Sequence, residues 1–176
     1  MHSRRQYLTW RSVYLPARVG RPIRAIFVAE SPPESGKYFY RTRGQRASEP
    51  LFQNLMLALY GRRFAHKEDG LRRFQESGYI LTDACYSSLR GTSGTRRSRK
   101  ILSGLPDLLV DLRLLATNRR TKIILIKSNV CDLLEPVLAT HGFKIANGGV
   151  RIPFPSGHQP EFRRRIRSLL PAHLTE

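Results

Sequence analysis

Lys122 to Lys127 reads K-I-I-L-I-K, a continuous apolar run closed at each end by a cation. It is the clearest strand in the sequence, and its lack of polar alternation is that of a strand buried on both faces. The next segment is helical. Asn129 stands as an N-cap, Val130, Leu133, Leu134, Val137 and Leu138 recur at helical spacing, and Gly142 lies just past the end. A strand feeding directly into an amphipathic helix is half of a parallel crossover unit, and the flanking sequence repeats it.

Upstream, Ile101, Leu105, Leu108, Leu112 and Leu115 lie at helical spacing, with Gly104 and Pro106 marking a break or kink. Tyr79 to Asp83, Y-I-L-T-D, and Arg24 to Ala29, R-A-I-F-V-A, read as two more buried strands. Between them a helix is predicted after Ser48, through Leu51, Phe52, Leu55, Met56 and Leu59 to Gly61, and a shorter one over Lys67 to Ser77. Downstream, a fourth strand is placed within Phe143 to Ile152, where Gly148-Gly149 leaves its position open. A last helix begins near Pro160, with Phe162, Ile166, Leu169 and Leu170 inward and Arg163, Arg164, Arg165 and Arg167 outward. Four strands alternating with helices predict an α/β fold, a three-layer α/β/α sandwich with a central four-stranded parallel sheet. Residues 21–176 form one domain, preceded by a basic N-terminal arm over 1–20.

Composition narrows the function. The 176 residues carry 31 Lys+Arg against 13 Asp+Glu, a formal charge of +18, and arginine supplies most of the excess. Guanidinium suits bidentate phosphate contacts, so nucleic acid is the expected partner ahead of an acidic protein or an anionic lipid. Two cysteines, Cys85 and Cys131, exclude a disulfide scaffold and a four-cysteine zinc site, and read as reduced, buried thiols. His2, His66, His141 and His173 show no ligand spacing, so no metal is expected. No apolar run is long enough for a membrane span. A cytoplasmic location is the resulting expectation; the six arginines before Glu30 are also compatible with organelle import.

In parallel sheets ligands bind beyond the carboxyl ends of the strands. Four loops therefore gather at one edge: Ala29 to Tyr40, Asp83 to Tyr86, Ser128-Asn129, and Ile152 to His158. The run Arg90 to Lys100, R-G-T-S-G-T-R-R-S-R-K, leaves from the same edge and is read as a flexible basic loop.

These loops, in this order, resemble the uracil-DNA glycosylase superfamily. Ala29-Glu30-Ser31-Pro32-Pro33 is similar to its first motif, Leu81-Thr82-Asp83 to the strand that ends in Thr-Asn or Leu-Asn, and Phe154-Pro155-Ser156-Gly157 to the motif before its final helix. The resemblance covers roughly Arg24 to Leu170. It implies a monomeric enzyme of base-excision repair, without a cofactor, that binds DNA, flips out a damaged or deaminated base (uracil or a related one) and hydrolyses the N-glycosidic bond. It assigns Glu30 to orienting water and offsetting positive charge on the sugar, with Glu34 in reserve, and places His158 at or beside the residue that fills the emptied stack. Ser31 and Phe154 fall beside the base, and one of Tyr38, Phe39 or Tyr40 serves as the stacking ring. Ser156 and Gly157 turn against the DNA backbone, where Arg43, Arg90, Arg96, Arg97, Arg99 and Lys100 supply positive charge.

Two positions depart from that pattern. Asp83 stands where the family has an asparagine able to donate and accept, and an ionised carboxylate only accepts. It suits a base that shows an extra N–H, or else it is protonated. Phe154 replaces a histidine and cannot donate to a departing base; His158, four residues on, is the substitute. Structural roles compete with each assignment: Glu30 paired to an arginine, Asp83 as a cap, the Tyr38–Tyr40 rings packed in the core, the basic run simply solvated. The competing function is a nucleic-acid-binding protein on the same fold without catalysis.

Overall fold

The computed structural model describes residues 2–43, 47–118 and 120–170. Arg46 and His173 lie outside the described residues. Three parallel strands, β1 (Ala25–Ala29), β2 (Tyr79–Asp83) and β3 (Lys122–Leu125), form a sheet in the order β2-β1-β3. Their register sets Ala29 opposite Asp83 and Val28 opposite Leu125, so all three carboxyl ends reach one edge. All five residues of β1 are buried, as a central strand covered on both faces requires.

The fourth expected strand is not formed among the described residues. Only Ile145 bridges Ile123, in parallel sense, and the chain then turns through Gly148 and Gly149, both at positive φ. Asn147 substitutes for the missing strand: its Oδ1 accepts from Leu125 N at 2.8 Å, and its Nδ2 donates to Leu125 O at 3.1 Å and Val150 O at 3.0 Å. A buried side-chain amide thus completes the edge of β3 where a ladder would have run.

The helices are α1 (Arg4–Ser12), α2 (Pro50–Tyr60), α3 (Lys67–Glu76), α4 (Gly94–Ser103), α5 (Leu105–Leu115), α6 (Ser128–Thr140) and α7 (Gln159–Leu169). α2 packs on α7, α3 on β2, and α4 on both α5 and α6. The run expected as a flexible basic loop is mostly helix α4. Its charges obscure a helical face that is fixed by tertiary contacts: Ile101 is buried, Arg97 reaches Glu30, and Lys100 donates to Ser88 O at 2.8 Å. The break at Gly104 is real and has a packing cause. A Cβ there would lie 2.6 Å from Cys85 Cβ and 2.7 Å from Ala84 O.

The N-terminal segment is integral to the packing. α1 is closed by a Ser3–Gln6 capping box and buries Tyr7. Arg11 grips Asp111 on α5 with both terminal nitrogens, at 2.5 and 2.6 Å, and donates to Thr82 Oγ1 at 2.8 Å; Thr82 in turn donates to Asp111 at 2.7 Å. This buried network fixes α1 beside the last residues of β2. The arginines of α7 do not all face outward: Arg163 donates to Asn54 Oδ1 at 3.0 Å, and Arg167 to the carbonyls of Leu57 and Ala58 near the end of α2.

Candidate functional site

A cleft of about 520 Å³ opens at the carboxyl ends of the strands, as the topology requires. Glu30, Ser31, Glu34, Asp83, Arg90, Arg97, Tyr38, Phe39 and Phe154 all line it, so residues from three of the four predicted loops and from the basic run converge there. Lys127 and Glu49 join them without having been expected.

Glu30 comes directly after β1 and is buried at the back of the cleft. Its carboxylate accepts from Arg97 Nε at 2.6 Å, Arg97 NH2 at 2.5 Å, Asn129 Nδ2 at 2.7 Å and the Lys127 ammonium. Burial works against the charge, but these four donors prevail and hold the carboxyl at about 2. In this arrangement Glu30 is a fixed anion whose acceptor sites are taken. Asn129, expected to cap α6, is spent on this contact; the helix begins at Ser128 without a side-chain cap. Lys127 has φ of +86°, a conformation L side chains rarely adopt. Its N–H donates to Ile152 O at 2.8 Å and its carbonyl receives the N–H groups of Val130 and Cys131, so the strain is held from both sides.

Asp83, the last residue of β2, is in the opposite electrostatic situation. It is 3% exposed, and its Oδ2 has no hydrogen-bond partner among the described residues. Burial pushes its carboxyl up to about 7; the Tyr38 hydroxyl beside it opposes the push without reaching hydrogen-bond geometry, and Arg11 also opposes it. Glu49, ahead of α2, is likewise raised to about 7 by burial, although Lys67 lies 3.8 Å away and favours its charge. Lys67 itself is lowered to about 8 by burial and donates to Tyr38 O at 2.6 Å. Burial thus raises the carboxyls of Asp83 and Glu49 in the same cleft where its donors keep Glu30 ionised.

Other expected residues stand apart. Tyr40 is not on the cleft wall; its hydroxyl accepts from Leu81 N at 2.6 Å and donates to Leu81 O at 3.2 Å, which makes it a core residue tied to β2. Tyr38 and Phe39 reach the cleft but are 1% and 2% exposed, packed among Tyr7, Phe52 and Phe74. Phe154 is the ring with a partly open face. His158 precedes α7 and lines a separate shallow depression with Ser128 and Arg151, so the structure does not bring it to Glu30 and Asp83. Ser156 and Gly157 are exposed in the preceding turn. Glu34 is exposed at the mouth, where Ser88 donates to it and Arg90 lies 4.0 Å away. Arg43, Arg96 and Arg99 are exposed, and none has an ion-pair partner among the described residues. Lys100 is partly buried and tied to Ser88.

Cys85 and Cys131 are buried and free. Among the described residues no group of three or more His, Cys, Asp or Glu side chains is placed to hold a metal, and no helix is long and apolar enough to cross a membrane. The cleft and fold together define an α/β protein with an acid-lined pocket at the edge of a parallel sheet. Comparison with family models, with curated proteins and with solved structures finds no match.

Proposed function

We propose that this chain is a DNA glycosylase on a three-layer α/β/α fold, acting as a monomer without metal or redox cofactor on a base flipped into the cleft. The observation that carries the reading is Asp83, a buried carboxyl at the cleft wall with a raised pKa and an unpartnered oxygen. Protonated, it offers one O–H donor beside one carbonyl acceptor, the same pair an asparagine amide presents, and so it can read uracil's ring N–H and neighbouring carbonyl. The cleft volume suits one base with part of its sugar. Phe154 supplies a ring face, Arg90 lines the cleft, and the exposed Arg96 and Arg99 of α4 would add positive charge for phosphates.

The chemistry asked of the site is modest in parts. The bond between C1′ and the base breaks, the base departs with the electron pair, and water adds to the cation-like sugar. Asp83 stabilises the departing base by hydrogen bonding, and the Glu30 anion offsets the positive sugar. For Glu30 to take the proton of the attacking water, Arg97 or Lys127 must release one of its oxygens.

That requirement favours one alternative, a nucleic-acid-binding protein without catalysis, since both oxygens of Glu30 are already engaged by donors and His158 lies elsewhere. Duplexes and single strands carrying uracil, hypoxanthine, xanthine or a mismatch, tested for alkali-labile sites, separate the two. Cleavage of one of them supports the glycosylase; no cleavage of any, with salt-sensitive binding retained, leaves the binding protein.

A further inference from the structure

At the opposite end of the sheet lies a second cavity of about 510 Å³, walled by Arg21, Arg24, Arg120 and Lys122 with Tyr79 and Asn118. The strands between the two cavities are about 17 Å long at 3.3 Å per residue, so this cavity is separate from the cleft. Among the described residues the only acid in its wall is Glu76, and the side chains of Arg21, Arg24 and Arg120 have neither an ion-pair nor a hydrogen-bond partner. Arg21, Arg24 and Arg120 are exposed to solvent, and with Lys122 they give the concavity a positive potential that attracts anions.

Two local features build the wall. Gly78, at φ +77°, lets the Arg24 stem lie directly over the backbone; a Cβ there would meet Arg24 Cγ and Cδ at 2.9 and 3.0 Å. Tyr79 is 1% exposed, its ring packed on Phe27 and Phe74, yet its hydroxyl has no hydrogen-bond partner among the described residues and lies within charge range of Arg24. The Tyr79 hydroxyl opens to the cavity and, with the guanidinium N–H donors of Arg24 and Arg120, matches an anion with several oxygens presented in different directions. The Lys122 ammonium, already donating to Leu169 O at 3.3 Å, keeps further donors for it.

We propose that this cavity is a phosphate-binding site, with Arg24, Arg120 and Tyr79 as its principal contacts, for a phosphate carried by a nucleotide or by a nucleic-acid strand. The site is independent of the glycosylase reading. Its dimensions accept a nucleotide, and a phosphate at the end of a strand presents the same group.

The test titrates the full chain with inorganic phosphate, deoxyadenosine 5′-monophosphate and an undamaged 5′-phosphorylated single-stranded hexanucleotide, read by calorimetry and by the arginine Nε–Hε resonances. Arg24→Gln combined with Arg120→Gln is expected to weaken phosphate-dependent binding about tenfold or more, the loss typical of charge-assisted contacts. Tyr79→Phe, which keeps the packed ring, is expected to weaken it about threefold. Arg72→Gln with Arg113→Gln, the same charge change on exposed helix positions, is expected to leave it within about twofold. Binding of the monophosphate assigns the nucleotide as carrier; binding of the hexanucleotide alone assigns the strand. No binding by any probe, or equal losses in the two double variants, overturns the site. No bond cleavage is read, so either result is separable from the fate of the cleft.

Discussion

Arg97 holds Glu30 through one edge of its guanidinium, Nε to Oε1 at 2.6 Å and Nη2 to Oε2 at 2.5 Å, across a sequence separation of 67 residues. The contact ties the first turns of α4 to the end of β1 and forms one wall of the cleft. Because α4 also carries Arg96 and Arg99 to the surface, the ion pair joins the buried anion to the face that would meet phosphate.

Replacing Glu30 by Gln removes the charge that Arg97 and Lys127 share. Their side chains are 28% and 31% exposed, so water softens the loss, and a destabilisation of about 1–3 kcal/mol is expected by urea denaturation at pH 7. Since the folded carboxyl lies below its ordinary value, the stability it contributes is present above about pH 4.5 and is lost as pH falls toward 2. Acid unfolding between those values is therefore shallower in Glu30→Gln. If the cleft cleaves, base release falls about 100-fold or more in the same variant; release that survives unchanged removes Glu30 from the chemistry.

Asp83 has the opposite sign. Its folded carboxyl titrates near 7, above its unfolded value near 3.8, so the native state holds the proton more tightly and stability falls as pH rises between the two. The full penalty, reached above pH 7, is on the order of 4 kcal/mol at 1.36 kcal/mol per pH unit. Asp83→Asn is expected to raise the urea midpoint at pH 8 far more than at pH 4. Base selection provides the second measurement: release of uracil by the native protein declines through pH 7, whereas the Asn variant holds its rate there.

Arg11→Ala leaves Asp111 and Thr82 facing each other without their cation inside the fold. A loss of about 3–5 kcal/mol is expected, measured by thermal or urea unfolding. Arg11→Met combined with Asp111→Leu recovers most of it, because the buried charge is then absent from both partners. Equal stability of the single variant and the native chain would show that α1 is not clamped here.

Asn147→Ala strips the amide from the free edge of β3. Leu125 N–H is then buried without a partner, which costs about 2–4 kcal/mol with the two further bonds lost. Hydrogen exchange of the Leu125 amide should accelerate well beyond that of Ile124, whose surroundings do not change.

The run K-I-I-L-I-K revealed its strand because burial on both faces needs nothing but a continuous apolar stretch, and the helices around Leu55 and Leu134 were readable from spacing alone. Convergence of the loops bearing Glu30 and Asp83 was likewise legible, since parallel topology forces it; Phe154 reaches the same cleft without the fourth strand from which its place was read. Arg97 and Ile101 show the limit: a segment of five cations reads as loop until a distant carboxylate fixes one of them. Asn147 could pass for a strand residue or a turn residue, and only its neighbours Gly148 and Gly149 hinted at the turn. Nothing local distinguishes Lys127, whose positive φ arises from contacts with Ile152 and with α6. Glu49 and Lys67 gain their perturbed titration from burial, which their mutual attraction only partly offsets, a property of the folded chain with no pattern in either segment.

The Arg11–Asp111 clamp spans 100 residues, and this has a consequence for the chain as it is made. At about 5–20 residues per second, Arg11 leaves the ribosome some 5–20 s before Asp111 does. Through that interval the Arg11 guanidinium lacks the carboxylate that holds it in the folded chain, and a nine-residue segment gains little helicity without packing. The clamp that fixes α1 therefore cannot close until α5 has been made, so the N-terminal segment is locked into the domain only after most of the chain has been synthesised.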